Sequence, residues 1–330
     1  ITASLRSGGR FVPESAAGFS WNGRSTITGI GRAMGNDRTD SIIMQTKLKR
    51  PSIPDGMVPR ARLMRRLDKK RHRALTLVSA PAGYGKSTLV SAWLEPSSIP
   101  NAWVSLDKND NDLYLFLNYL LAAIQTMFPD ARRKTHDLAN ALVLPPLSTL
   151  AGNLINELDR IEQPFILVLD DFHLIKDKSS LGLVSKLLLH PPRHMHLVLV
   201  GRRDPSLPIS TMRANGLVTE VRTRDLRFTL TETEMFLKQL LGVRIDPSTV
   251  AALEKRTEGW VTGLRLAALS FRQQGFIDPK FLELHTDAQY VLEYLFTEIL
   301  SQQPPEIRQY LLGSAILDRF CGPLCEAVCV

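Results

Sequence analysis

The sequence predicts an α/β fold, a parallel sheet with helices on both faces, followed by a segment that is all helix. Three observations predict it. Short apolar runs alternate with longer amphipathic stretches up to about residue 225, the pattern of strands joined by helical crossovers. The first of those runs feeds a Gly-rich turn that ends in Gly85-Lys86-Ser87. Beyond Leu226 the strand-like runs stop while helix-period stretches continue.

Taken in order, residues 1–46 are rich in Gly, Ser, Arg and Thr with no apolar period. They are expected to be disordered, or to lie upstream of the natural start. A Pro-punctuated lead-in runs from Lys47 to Pro59. Strands are expected at Ala74–Val78, Asn101–Leu106, Phe165–Leu169, His196–Val200 and Leu217–Val221. Helices are expected at Leu89–Leu94, Leu113–Met127, Leu147–Ile161 and Leu181–Leu189. The continuous apolar run Phe165–Leu169 reads as a strand buried on both faces. Thr231 and Glu234 form a capping-box pair that opens a helix ending at Gly242. Further helices are expected at Thr249–Arg256, Val261–Gln274, Ala288–Ser301 and Pro305–Leu312. The division implied is 1–46, a sheet domain at 47–225, a helical domain at 226–313 and the start of another unit at 314–330.

Composition narrows the reading. Hydrophobic residues make up 44% of the 330, enough for a sizeable core. No uncharged apolar stretch approaches the roughly 18 residues of a membrane span, and no signal peptide is evident. A cytoplasmic setting is expected. Cys321, Cys325 and Cys329 are spaced to fall on one face of an expected helix but have no His or further Cys near them in sequence; buried or free thiols are the expected reading. The net charge of +8 is carried entirely by Lys47–Arg73, which holds eleven Lys and Arg against Asp55 and Asp68. Leu63, Met64 and Leu67 give that segment a narrow apolar stripe, so it reads as a helix with a solvated basic face. It lacks the aromatic interleaving of a nucleic-acid surface.

Ala80-Pro81-Ala82-Gly83-Tyr84-Gly85-Lys86-Ser87-Thr88 lies between a strand and a helix, the order a phosphate-binding P-loop requires. Gly83 and Gly85 permit backbone conformations and close approaches that a side chain blocks. The loop N–H groups and helix N-terminus then face an anion. Lys86, expected in a solvated cleft, supplies a charge to the terminal phosphates, and Ser87 a hydroxyl to Mg²⁺. Ala80 stands where the usual pattern has its first Gly.

Asp170 and Asp171 follow the buried run, at the strand end where open α/β sheets bind ligands. Asp170 is expected in the Mg²⁺ shell. Asp171, one residue further along an extended chain, is expected to point the other way and to orient or deprotonate water. Arg202, with Arg203 as alternate, ends the next strand and can reach a γ-phosphate in cis. His173, two residues beyond Asp171, fits the site, packing at a helix start or solvent, the last two being favoured over the first.

These motifs form one ordered set. Val58-Pro59-Arg60, the P-loop, Leu167–Ile175, Gly201–Pro208, Asp225–Phe228 and Thr257–Leu264 together resemble the large ATP-dependent LuxR-type transcriptional regulators related to the maltose regulator, within the STAND class of signal-transduction ATPases. The resemblance covers about residues 47–330. It implies a nucleotide-binding domain, a helical domain and a winged-helix domain beginning near Ile316–Arg319. It also implies ATP/ADP with Mg²⁺ as ligands and slow regulatory hydrolysis. Self-association in the ATP state, an inducer, and promoter DNA and RNA polymerase reached through regions beyond Val330 are implied too. Carried over by position, Lys86, Asp171 and Arg202 are catalytic, and Ser87 and Asp170 hold the metal. Ala80, Gly83, Tyr84, Gly85, Lys86, Ser87 and Thr88 bind phosphate, and Val58 and Arg60 lie on the adenine side. Gly259-Trp260-Val261 has Val where related switches carry Pro. Two placements fit Trp260, beside the base or in a core, the second being favoured. The alternative reading is a turnover ATPase of the AAA type.

Overall fold

The computed structural model describes residues 43–129, 134–139, 145–274, 300, 303–315 and 321–322. Expectations for 1–42, for the helix at 288–301, for Ile316–Arg319, and for Cys325 and Cys329 lie outside these residues. Among the described residues, no helix is long and apolar enough to cross a membrane.

The first elements are α1 (Ala61–Lys69), β1 (Leu75–Ser79), α2 (Lys86–Leu94), β2 (Asn101–Ser105), α3 (Leu113–Met127), α4 (Lys134–Ala139), α5 (Leu147–Asp159) and β3 (Phe165–Asp170). They are followed by α6 (Lys178–Leu189), β4 (Met195–Gly201), α7 (Ile209–Ala214), β5 (Val218–Arg222) and α8 (Thr223–Leu226). The chain then turns helical with α9 (Leu230–Leu241), α10 (Pro247–Thr257) and α11 (Val261–Gln274), and a further helix spans Pro305–Ser314.

All paired strands are parallel, in the order β2-β3-β4-β1-β5. Period-two alternation splits their side chains between two cores. Leu75, Leu77, Val104, Leu167, Leu169, Leu197 and Leu199 share one core with α3, α5 and α6. Val78, Trp103, Ile166, Val168, Val198 and Val200 share the other with α1 and α2. Register brings Ser79 level with Gly201 and Arg222, and Ser105 level with Asp170. The polar ends of β1, β3 and β4 therefore lie along one sheet edge.

A third core joins Leu237, Val250, Leu253, Leu264 and Ala268 of α9–α11 to Phe228 and to Val58 of the lead-in. Capping fixes these helices. Thr229 and Glu232, not Thr231 and Glu234, form the capping box of α9. Glu232 is the member of the run whose carboxylate also meets Arg60 and Arg62, which explains the shift of two residues. Gly242 ends α9 with φ 71°, and Asp246 caps α10 ahead of Pro247.

The basic segment departs from expectation. Arg66 binds Asp225 and the Glu220 carbonyl, and Arg73 the Val218 carbonyl. Arg62 reaches Glu232 and the Arg227 carbonyl. Lys47 meets Asp110 at 2.6 Å and lies 4.4 Å over the Tyr119 ring. Much of the basic run therefore acts as a fastener, tying α1 to β5, α8 and α9 and the lead-in to the turn before α3. These cations fasten elements together because carbonyls of the edge strand β5 and just after α8 need donors.

Candidate functional site

β1 delivers the chain to the sheet edge, where Ala80 is buried and its N–H donates to the Gly201 carbonyl at 3.2 Å. Ala80 thus anchors the loop base to β4. Gly83 and Gly85 adopt φ 77° and 71°, left-handed values that L side chains rarely tolerate. Gly85 is the N-cap of α2, so the helix N-terminus opens directly onto the loop.

Lys86 is buried rather than set in an open cleft, and its Nζ donates to the Pro81 carbonyl at 2.9 Å. Burial lowers its pKa; Asp171 opposes that shift and Arg202 adds to it. The Ser87 hydroxyl donates to Asp170 Oδ1 at 3.0 Å, and the same oxygen accepts the Asp171 N–H at 2.9 Å. Burial first, then the Asp171 carboxylate, pushes Asp170 up to about 6.

Asp171 has φ 53°. Strand alternation therefore does not set its direction; a left-handed residue does. Its carboxylate is half exposed and 3.8 Å from His173 Nδ1. His173 lies in a short 3₁₀ turn, Phe172–Leu174. Its Nδ1 is buried without a hydrogen-bond partner, and burial lowers its pKa to about 4. Arg202 acts electrostatically on both Lys86 and His173. With Arg203 and Arg224 it also lines a second, open cleft beside Ser79 and Pro81. The structure thus brings Lys86, Ser87, Asp170, Asp171 and Arg202 together around one loop.

A cavity of about 600 Å³ opens from this loop toward α9 and α11, within the size range of small-ligand sites. Tyr84, Thr88, Met57, Phe228, Gln239 and Thr262 are among its walls. Val58 and Arg60 line it too, but both are buried. The Arg60 guanidinium pairs with Glu232 at 3.1 Å, donates to the Leu226 carbonyl at 2.9 Å and lies 4.5 Å from the Phe228 ring centroid. Arg60 shapes the wall while its charge is engaged internally.

Phe228 and Gln239 were not foreseen from the sequence as cavity walls. Trp260, expected beside the base or in a core, instead meets the loop backbone. Its indole N–H donates to the Ala82 carbonyl at 3.1 Å, and Thr262 meets the Gly83 carbonyl through both its N–H and its hydroxyl. The available signal was Gly259, whose φ of 67° puts the chain where a Cβ would strike the Phe228 backbone.

The donor set fits a hard divalent cation. Ser87 and Asp170 offer adjacent oxygens, and no group of three or more His, Cys, Asp or Glu among the described residues could cage a metal. Mg²⁺ suits such a site because it takes one or two protein oxygens and completes its shell with phosphate and water.

Comparison with known proteins agrees with this geometry. Residues 59–200 match the AAA ATPase domain, and residues 296–330 match the MalT winged helix domain. The HTH-type transcriptional regulator MalT of Cronobacter sakazakii is 34% identical over 278 residues, 84% of this chain and 31% of the relative. Its Yersinia pestis counterpart is 33% identical over the same extent. The chain therefore spans about a third of the length of these relatives. A solved STAND protein with a tetratricopeptide repeat sensor from Pyrococcus horikoshii is 18% identical, with a TM-score of 0.49 over 83% of this chain and 36% of its own. The fold and loop define a P-loop ATPase of the AAA class. Within it, the ATPase domain followed by the MalT winged helix makes the chain similar to the MalT transcriptional regulators over about a third of their length.

Proposed function

We propose that this chain is the ATP/ADP-operated switch module of a bacterial LuxR-type transcriptional regulator, with slow Mg²⁺-dependent hydrolysis resetting an ATP-bound active state. The observation that carries the reading is the Ser87–Asp170 contact beneath the glycine loop, with Lys86, Asp171 and Arg202 in electrostatic reach. Ser87 and Asp170 would hold Mg²⁺, which on binding neutralises phosphate charge. Gly83–Thr88 would bind the phosphates through loop N–H groups. The cavity toward Phe228 and Gln239 would take the base and ribose.

Arg202 directly follows the last residue of β4, the strand hydrogen-bonded to β1, and its charge is felt at Lys86. It would favour triphosphate over diphosphate by one charge-assisted contact. Asp171 would orient water, and its neighbour His173 stays neutral at physiological pH. A ligand shifts a switch only through contacts that differ between its states, so Arg202 and Asp171 are the residues at which ATP and ADP would differ. Self-association, promoter DNA, RNA polymerase and an inducer belong to the proposed whole regulator, in the cytoplasm. The proposed division is 47–225 for the nucleotide domain, 226–313 for the helical domain and 314–330 for the start of the winged helix.

Single-turnover hydrolysis beside equilibrium ATP binding tests the reading. Asp170→Asn is expected to weaken Mg·ATP binding. Asp171→Asn is expected to retain ATP and lose hydrolysis by about 10²-fold. Loss of binding in both alike, or parental hydrolysis in Asp171→Asn, overturns the division of roles. Rapid sustained turnover by the parent without effector points instead to a motor-type ATPase.

A further inference from the structure

We propose that Trp260 and Thr262 are positioning residues of the phosphate loop. From the start of α11 they hold Ala82 and Gly83 by their carbonyl oxygens, and so couple the grip on a nucleoside phosphate to the seating of the helical segment. This rests on the nucleotide-binding reading and adds a residue-level coupling to it.

A phosphate loop works by aiming N–H groups at an anion. In a planar trans peptide the C=O of one residue points opposite to the N–H of the next. Fixing the Ala82 carbonyl therefore fixes the Gly83 N–H, and fixing the Gly83 carbonyl fixes the Tyr84 N–H. Trp260 Nε1 donates to the first at 3.1 Å. Thr262 donates to the second twice, from its N–H at 3.2 Å and from Oγ1 at 3.0 Å. The preceding carbonyl, Pro81, accepts from Lys86. Three successive loop carbonyls are thus held, two of them by residues distant in the chain, at 260 and 262.

The fit between loop and helix is close. A Cβ at Gly83 would lie 2.6 Å from both Thr262 Oγ1 and Trp260 Nε1. A Cβ at Gly263 would lie 2.6 Å from the Trp260 ring. Trp260 is thereby wedged between two glycines, one in the loop and one in α11. Its own backbone is set by the left-handed Gly259, whose carbonyl accepts the Phe228 N–H at 2.9 Å. A tryptophan serving only as core filler needs neither the indole bond nor the loop glycine. Linkage makes the coupling reciprocal: the factor that seated α11 adds to nucleotide affinity is the factor that nucleotide adds to the seating of α11.

The test uses a fluorescent ADP analogue with Mg²⁺ and this chain as parent, Trp260→Phe, Thr262→Val and the double variant. Phe keeps an aromatic ring without the N–H, and Val keeps the shape of Thr without the hydroxyl. Each single variant is expected to release ADP about fivefold faster, the scale of one neutral hydrogen bond, and the double variant more than about tenfold faster. Hydrogen exchange is read in parallel. ADP should protect 82–85 and 261–265 together in the parent, and protection of 261–265 should weaken in the variants while the central strands exchange as before. A parent that binds ADP with variants that release it at the parental rate overturns the coupling alone. A parent that binds no ADP, with Lys86→Ala indistinguishable from it, overturns the nucleotide reading and the coupling with it.

Discussion

The two walls of the nucleotide cleft are built differently. The sheet wall comes from residues adjacent in sequence at strand ends: Gly83–Ser87 after β1, Asp170–Asp171 at the end of β3 and Arg202 after β4. The helical wall is assembled from the lead-in at Met57–Arg60, from Phe228, from Gln239 on α9 and from Trp260–Thr262 at α11. The sheet wall carries charge in a buried setting, with Gly83, Gly85 and Asp171 in left-handed conformation. On the helical wall the Arg60 charge is neutralised by Glu232. Charge gathers where strands end together, and the opposite wall supplies shape.

Breaking the sheet wall should abolish binding without unfolding the chain. Lys86→Ala removes the cation held at the Pro81 carbonyl, and ATP affinity is expected to fall by about 10²-fold or more, roughly 3 kcal/mol. Because burial already disfavours the charged Lys, thermal stability should hold or rise. Calorimetric titration and a melting curve on the same sample read both. Unchanged affinity in a folded variant removes Lys86 from the site.

Breaking the helical wall should do the reverse. Arg60→Ala leaves Glu232 buried with Arg62 as its remaining cationic partner and strips the donor from the Leu226 carbonyl. A loss of about 3 kcal/mol in urea unfolding is expected. If Arg60→Ala instead kept parental stability and lost nucleotide, Arg60 would be a ligand contact and the contrast between the walls would collapse.

The contrast also explains what was legible in the sequence. Apolar runs located all five strands, because most of their side chains are buried and such a run needs no tertiary context to be seen. The placement of Lys86, Ser87, Asp170 and Asp171 at strand ends was legible because local chain geometry sets it, whereas the burial of Lys86 and the left-handed backbone of Asp171 were not. The engaged arginines of the basic segment were not legible. Arg66 meets Asp225 and Arg62 meets Glu232 across wide separations in the chain, and nothing in a run of charges says whether its partner is water or a carbonyl. Trp260 escaped for the same reason: its partner, the Ala82 carbonyl, is a backbone atom. The capping box of α9 slipped by two because a Thr-Glu alternation offers two equal pairs, and only the ion pairs of Glu232 choose between them.

A smaller effect sharpens the account of the sheet wall. The Asp170 pKa of about 6 stands above its ordinary 3.8. Between those values the folded chain binds more protons than the unfolded one, so this group makes stability fall as pH rises through that window. Asp170→Asn cannot ionise, and its amide oxygen can still accept from Ser87 and the Asp171 N–H. Relative to parent, the variant should gain about 2 kcal/mol between roughly pH 4 and pH 7 with no Mg²⁺ present. Urea unfolding of both proteins across that range checks it, and a difference that stays flat would mean that Asp170 ionises freely.

The smallest effect tests the basic helix itself. Arg65 and Arg66 are neighbours on α1 with the same side chain. Arg66 is partly buried, 2.9 Å from Asp225 and 2.7 Å from the Glu220 carbonyl, whereas Arg65 is exposed and bonds the Ala61 carbonyl of its own helix. Arg66→Ala should therefore cost about 1 kcal/mol, the scale of a charge-assisted bond that remains partly solvated. Arg65→Ala should stay within about 0.5 kcal/mol, since Ala is also the better helix former. Raising salt to about 1 M should shrink the Arg66 difference only in part, because its carbonyl bond does not depend on a distant charge. If both variants cost the same and both effects vanish in salt, the segment acts as a solvated basic face after all. α1 would then contribute field rather than fastening to the helical wall.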